Sequence, residues 1–154
     1  MPRFSLLLLL LAGASLSACQ TAAAAALPTP ACPVSTPAVD TPPDDPNADP
    51  FGDGPWFITA DRRLWAYWGS GWQAGPDGNK IIWIRPAGAQ LEVTGRRLDG
   101  PADPLRAWVP DGYGTGFQVT AVYVPAAGCW EVTAEAGQSE LRFTVMVAAA
   151  DAAP

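Results

Sequence analysis

The stretch from Gly128 to Val147 limits the possible folds more than any other. Trp130, Val132 and Ala134 alternate with Cys129, Glu131, Thr133 and Glu135. A turn containing Gly137 follows, and then Leu141, Phe143, Val145 and Val147 alternate with Arg142, Thr144 and Met146. Period-two alternation on both sides of a short polar turn predicts a β-hairpin with one buried face. A lone hairpin is marginal in water, so the rest of the chain has to supply strands that cover that face.

Five further stretches have strand character. Trp56 to Ala60 is a short apolar run, and Arg63 to Trp68 sets Leu64, Ala66 and Trp68 against Trp65 and Tyr67. Lys80 to Arg85 holds the run Ile81-Ile82-Trp83-Ile84. Gln90 to Leu98 alternates Leu91 and Val93 with Glu92 and Thr94, and Phe117 to Val124 places Val119, Ala121 and Tyr123 on one side. Turn clusters at Gly69-Ser70-Gly71, Gly75 to Asn79 and Pro125 to Gly128 punctuate these runs. Asp99 to Gly116, with three prolines and four glycines, reads as loop. No window outside the first residues has a helical period. About seven short strands between Gly, Pro and Asp-Gly turns predict an all-β protein, an antiparallel β-sandwich over residues 54–148, with a disordered tail at 149–154.

The first residues are a processing segment rather than part of that fold. Arg3 supplies a positive start and Leu6 to Leu11 an apolar stretch, too short for the ~20 residues of a membrane span. Leu16-Ser17-Ala18-Cys19 closes it. This pattern resembles the bacterial lipobox of lipoprotein signal peptides. The resemblance implies a signal peptide at 1–18, cleavage before Cys19, and fatty acylation of Cys19 through its sulfur and its new amino terminus. The alternative is an ordinary secretory signal with a chance cysteine. Gln20, rather than Asp, at the next position argues against retention at an inner membrane. Residues 19–53 read as a lipidated, disordered tether: an alanine run, Ala22 to Ala26, then eight prolines between Pro28 and Pro50. Such a composition buries little and extends as polyproline II. Asp44, Asp45, Asp49 and Asp53 lack the spacing of a calcium loop.

With Cys19 acylated, two cysteines remain, Cys32 and Cys129. In an oxidising, extracytoplasmic compartment a disulfide between them is the expectation, with two free thiols as the alternative. A metal site lacks support, because the chain has no histidine and no close cysteine pair.

A second resemblance covers residues 80–147. Gly95-Arg96-Arg97-Leu98-Asp99, Pro110-Asp111-Gly112-Tyr113-Gly114, Gly116-Phe117-Gln118 and Gly128-Cys129-Trp130-Glu131-Val132-Thr133 occur in the order seen in a group of uncharacterised bacterial lipoproteins, which carries no assigned activity. The closing Gly-x-Trp-x-Val pattern is also similar to the terminal hairpin of bacterial immunoglobulin-like domains. That likeness implies an immunoglobulin-like sandwich, although Cys32 precedes the first strand and so does not match the disulfide of antibody-type domains.

Charge and composition exclude several functions. Removing Arg3 with the leader leaves 15 acids against 8 bases (9 minus 1), a net charge of −7. A chain this acidic is unsuited to nucleic-acid backbones or anionic lipid surfaces. Without histidine, Ser-His-Asp and Cys-His catalysis are impossible, and no Gly-x-Ser-x-Gly elbow is present. Glu131 and Glu135 share a strand face roughly 13 Å apart, too far for a glycosidase pair, and read as solvated. Gly112 to Gly116 lacks the strand–helix context of a phosphate loop. Arg97, of inward parity, is expected to pair with Asp99, Asp103 or a loop carbonyl, with anion binding as the alternative.

Five of the seven tryptophans lie between Trp56 and Trp83. Trp65 and Trp68 have opposite parity and cannot face one core together. Trp65, Tyr67, Trp68 and Trp72 are therefore the candidate binding surface, for an envelope protein or a glycan; a tryptophan-rich core is the bland alternative. The expectation is a non-enzymatic binding domain, facing outside the cytoplasm and held to a cell or outer membrane through Cys19, with no catalytic residues, metal or cofactor. The rivals are a carbohydrate-binding or histidine-free carbohydrate-active protein and a purely structural spacer.

Overall fold

The structure is a computed structural model and describes residues 31–43, 54–67, 69 and 71–150. The leader, Cys19 and residues 44–53 lie outside the described residues. Ten strands are formed: β1 (Ala38–Val39), β2 (Pro55–Ile58), β3 (Trp65–Tyr67), β4 (Trp72–Gln73), β5 (Asn79–Ile84), β6 (Leu91–Arg97), β7 (Arg106–Trp108), β8 (Phe117–Tyr123), β9 (Gly128–Ala136) and β10 (Ser139–Ala148). They make two sheets, a six-stranded one ordered β1-β2-β3-β5-β8-β7 and a four-stranded one ordered β4-β10-β9-β6. The expected all-β sandwich is the observed architecture.

Three strands come in addition to the seven expected. β1 falls in the proline-rich stretch, β4 between two turn clusters, and β7 in the segment read as loop. Each has only two or three residues, too few to show an alternation. One pairing also departs from the expected antiparallel arrangement: β4 runs parallel to β10, with Val147 opposite Trp72, and an isolated parallel bridge joins Ala74 to Val124.

The boundary at residue 54 moves as well. The segment 31–43 is part of the sandwich rather than of a tether. Ser35 N–H donates to the Thr144 carbonyl at 2.9 Å, the Ser35 hydroxyl accepts from Thr144 N–H at 2.9 Å, and Ala38 lies opposite Trp56. Pro42 is buried. This strap passes from β9, past Thr144 of β10 beyond the β4 pairing, to the edge of the six-stranded sheet. At the other end, Ala149 and Ala150 are described and residues 151–154 are not.

The predicted hairpin is present, with Phe143 opposite Val132 and Val145 opposite Trp130. Its buried face meets Phe57, Ala66, Ile81, Trp83 and Val122 of the facing sheet, and β6 adds Leu91 and Val93. Phe57 and Phe143 stack across the gap with centroids 4.2 Å apart. Two polar contacts adapt the core to its indole rings: Trp83 Nε1 donates to Thr120 Oγ1 at 2.9 Å and Trp130 Nε1 to the Ala126 carbonyl at 2.9 Å. Gly95 leaves room for Leu105 to pack over β6, because a Cβ there would collide with the Leu105 side chain and stand 2.6 Å from the Glu131 carbonyl oxygen.

The two outward faces differ in chemistry. The four-stranded sheet presents Glu92, Thr94, Arg96, Glu131, Thr133, Glu135, Glu140 and Arg142, as the alternation requires. The six-stranded sheet carries a second apolar cluster on its outer face: Trp56, Trp65, Ile82 and Ile84, with Ile58, Tyr67, Phe117 and Val119 packed around them.

The sulfurs of Cys32 and Cys129 lie 2.04 Å apart, at disulfide distance, joining positions separated by 97 residues. Cross-linking so distant a pair restricts the unfolded chain strongly. Reduction is expected to lower stability by about 2–5 kcal/mol. Urea unfolding with and without reductant measures this, and the Cys32→Ser and Cys129→Ser variants should match the reduced protein.

Candidate functional site

Two of the sequence blocks meet beside the disulfide. Arg97 Nε donates to Asp99 Oδ1 at 2.6 Å, and Asp99 Oδ2 accepts the Cys129 N–H at 3.0 Å. Leu98 N–H donates to the Cys129 carbonyl at 2.8 Å, and Arg96 pairs with Glu131 at 3.0 Å. Gly128 has a φ of 136°. A Cβ there would fall 2.7 Å from both Arg97 Nε and Asp99 Oδ1. The Gly95–Asp99 and Gly128–Thr133 blocks thus form one lock, which fixes the backbone that carries Cys129. Arg97 makes the expected Asp99 pair, and Glu131 is occupied by Arg96.

The expected aromatic surface is distributed differently. Trp65 is 1% exposed and Trp72 is 3% exposed, so neither offers a ring to a partner. Trp65 is enclosed by Trp56, edge-on at 6.1 Å, and by the Arg62 guanidinium 4.8 Å from its ring centre, while its Nε1 donates to the Arg62 carbonyl at 2.7 Å. Arg62 is held in place by Asp40 of the strap at 2.7 Å. Trp72 sits between the sheets, edge-on to Phe143 at 6.0 Å. Tyr67 is half-buried against Trp56, and Trp68 lies outside the described residues. The parity argument assumed one core. A sheet with apolar residues on both faces buries tryptophans of either parity.

The exposed ring is Trp108, 61% accessible on β7. Register places Trp108 opposite Ala121 and Arg106 opposite Tyr123, on the outer face of the six-stranded sheet. An open groove of about 720 Å³ adjoins them, lined by Pro76, Asp103, Arg106, Tyr123 and Pro125 among others. Reading Asp99 to Gly116 as loop concealed this strand, whose three residues are too few to signal it.

The other two blocks converge on Arg85, which is 6% exposed. Its Nη2 donates to the Tyr113 carbonyl at 2.8 Å and to Gln118 Oε1 at 3.0 Å, and its Nη1 to the Pro86 carbonyl at 3.2 Å. Gln118, 3% exposed, ties the loop back by donating to the Pro110 carbonyl at 3.0 Å. No carboxylate pairs with Arg85 among the described residues, and its Nε has no acceptor. Desolvation lowers the pKa of this guanidinium from its ordinary value. The side chain walls a polar cleft of about 280 Å³, together with Gln90, Asp111, Gly112, Tyr113 and Gln118. Sequence reasoning overlooked Arg85, although it has the inward parity of Ile81 and Trp83.

The described residues hold no cluster of three or more Cys, Asp or Glu suited to a metal ion. Comparisons with protein-family models, characterised proteins and solved structures give no match.

Hydrogen bonds from Arg97 and then from the Cys129 backbone hold the Asp99 carboxyl below the ordinary carboxylate range. A depressed pKa stabilises the fold above the unfolded-state value and loses that contribution as pH falls through the folded one. Asp99→Asn is therefore expected to melt below the unmodified protein at neutral pH. The gap should close as pH drops below about 4. Melting temperatures of both proteins from pH 7 to pH 2 provide the check.

Proposed function

We propose that this is a lipid-anchored, non-enzymatic binding domain of the cell envelope, displayed outside the cytoplasm and engaging another envelope protein. The observation that carries the reading is the contrast between the outward faces. The four-stranded sheet is mainly charged, with Met146 its one exposed large apolar side chain among the described residues, whereas the six-stranded one exposes Trp108 beside Arg106 and half-buried Tyr123, Val119 and Phe117. Aromatic residues and arginine around a desolvated centre are the composition of protein-contact surfaces. The 720 Å³ groove beside Arg106 and Tyr123 supplies relief for a partner side chain.

The anchor reading rests on Leu16-Ser17-Ala18-Cys19 and is supported by export chemistry, since a cystine fits an oxidising compartment. The resemblance to immunoglobulin-like domains and to uncharacterised lipoproteins belongs to the same proposal. On this reading the free spacer is the segment between Cys19 and Cys32. Its 13 steps reach at most ~45 Å, a third or so of what a tether extending to residue 53 would span.

Mass spectrometry of the mature protein is expected to find acyl groups on Cys19; an unmodified terminus removes the anchor. Crosslinking in intact cells is expected to capture a defined envelope protein, with capture reduced about tenfold or more in Trp108→Ala. That change should alter folding stability by no more than about 0.5 kcal/mol, because the ring is exposed. Trp108 beside Tyr123 also favours a glycan as second reading. Saturable quenching of Trp108 fluorescence by cell-wall glycan, without protein crosslinks, would select it. Crosslinks unchanged by Trp108→Ala would leave a spacer domain.

A further inference from the structure

We infer that the cleft walled by Arg85 is a binding site for a small oxyanion, either a carboxylate or a phosphate-type group. It does not depend on the function proposed for the Trp108 surface.

Arginine has five N–H donors, and three hydrogen bonds account for three of them. The Nε–H and one N–H of Nη1 are left without an acceptor. All three partners are neutral oxygens, from Pro86, Tyr113 and the Gln118 side chain. A buried cation is ordinarily matched by a carboxylate, because neutral dipoles offset only part of its lost hydration. Here the described residues supply none within ion-pair distance. The charge is held by design of the loop: Gln118 Oε1 accepts from Arg85 while Gln118 Nε2 donates to Pro110, so the side chain is fixed from both sides.

The cleft offers the missing counter-charge a place. Its volume of about 280 Å³ accommodates a carboxylate or phosphate group, and its walls combine polar Gln90, Gln118 and glycine backbone with apolar Leu91, Val109 and Pro110. Low-dielectric walls concentrate the field of Arg85 within it. Gly112, with φ 95°, and Gly88, with φ 73°, present bare backbone at the cleft. Asp111 is the opposing charge. It also lines the cleft, is solvent-exposed and does not pair with Arg85, so it weakens anion binding without abolishing it. A purely structural Arg85, clamping the loop 110–116 onto the end of β5, would need no ligand, and the two roles separate experimentally.

The test uses the mature full chain in detergent, titrated with sodium acetate, phosphate and sulfate at ionic strength matched by sodium chloride. The readouts are the Arg85 Nε–H resonance, assigned by its loss in Arg85→Lys, and the melting temperature. A saturable displacement of that resonance by acetate or by the tetrahedral anions is expected, with a dissociation constant on the order of millimolar. Response to acetate alone identifies a carboxylate site, and response to phosphate and sulfate alone a tetrahedral one. Asp111→Asn, whose side chain is exposed, should fold normally and bind roughly fivefold more tightly. Arg85→Gln should lose the anion-dependent rise in melting temperature. If the resonance does not saturate, or chloride acts equally, in both the unmodified protein and Asp111→Asn, the site is overturned and Arg85 is a structural clamp.

Discussion

A sheet that is apolar on both faces has to be shielded twice, and the organisation of this protein follows from that requirement. The hairpin β9–β10, with β6, shields the inner face of the six-stranded sheet and contributes most of the inter-sheet core. The outer face gathers Trp56, Trp65, Ile82 and Ile84 into a cluster of its own. Arg62 shields part of it, held over Trp65 by Asp40. The left-handed backbone of Arg62, with φ 56°, aims both its guanidinium and its carbonyl at the same indole. The strap that carries Asp40 is thereby part of the packing of this face.

The long alternating strands were legible in the sequence because their period is long enough to observe. β5, β6, β8, β9 and β10 each have six or more residues and were all anticipated. β1, β4 and β7 were not, since two or three residues carry no period and proline-rich context argues against strand. Their placement depends on partners: β1 on Trp56 and Pro55, β4 on the end of β10, β7 on β8. The same limit applied to the site. Trp65 and Trp68 differ in parity and so cannot share one core, which holds for the strand but leaves out the second apolar cluster on the outer face, where Trp65 is buried. The Cys32–Cys129 pairing was readable only with the lipobox resemblance setting Cys19 aside, whereas the cleft at Arg85 required knowing that the segment from Pro110 to Tyr113 folds back over the end of β5.

The sequence blocks acquire separate physical roles. Gly95 to Asp99 and Gly128 to Thr133 interlock through Arg97, Asp99 and the Cys129 backbone. Pro110 to Tyr113 and Gln118 enclose Arg85. One group secures the backbone beneath a cross-link, and the other surrounds a buried positive charge. They meet different constraints at different edges, which is why their spacing along the chain shows no common repeat.

The position of Cys129 also determines how the domain responds to pulling. Tension arriving along the residues before Cys32 passes through the sulfurs into β9, which has hydrogen-bonded neighbours on both sides, β6 and β10. Without the bond, the same tension would meet first the Ser35–Thr144 contact on β10 and then β1, a two-residue edge strand. The cross-link moves the point of loading from an edge strand to one paired on both sides. Load entering before Cys32 is thereby carried by an interior strand, although β1 itself lies at a sheet edge.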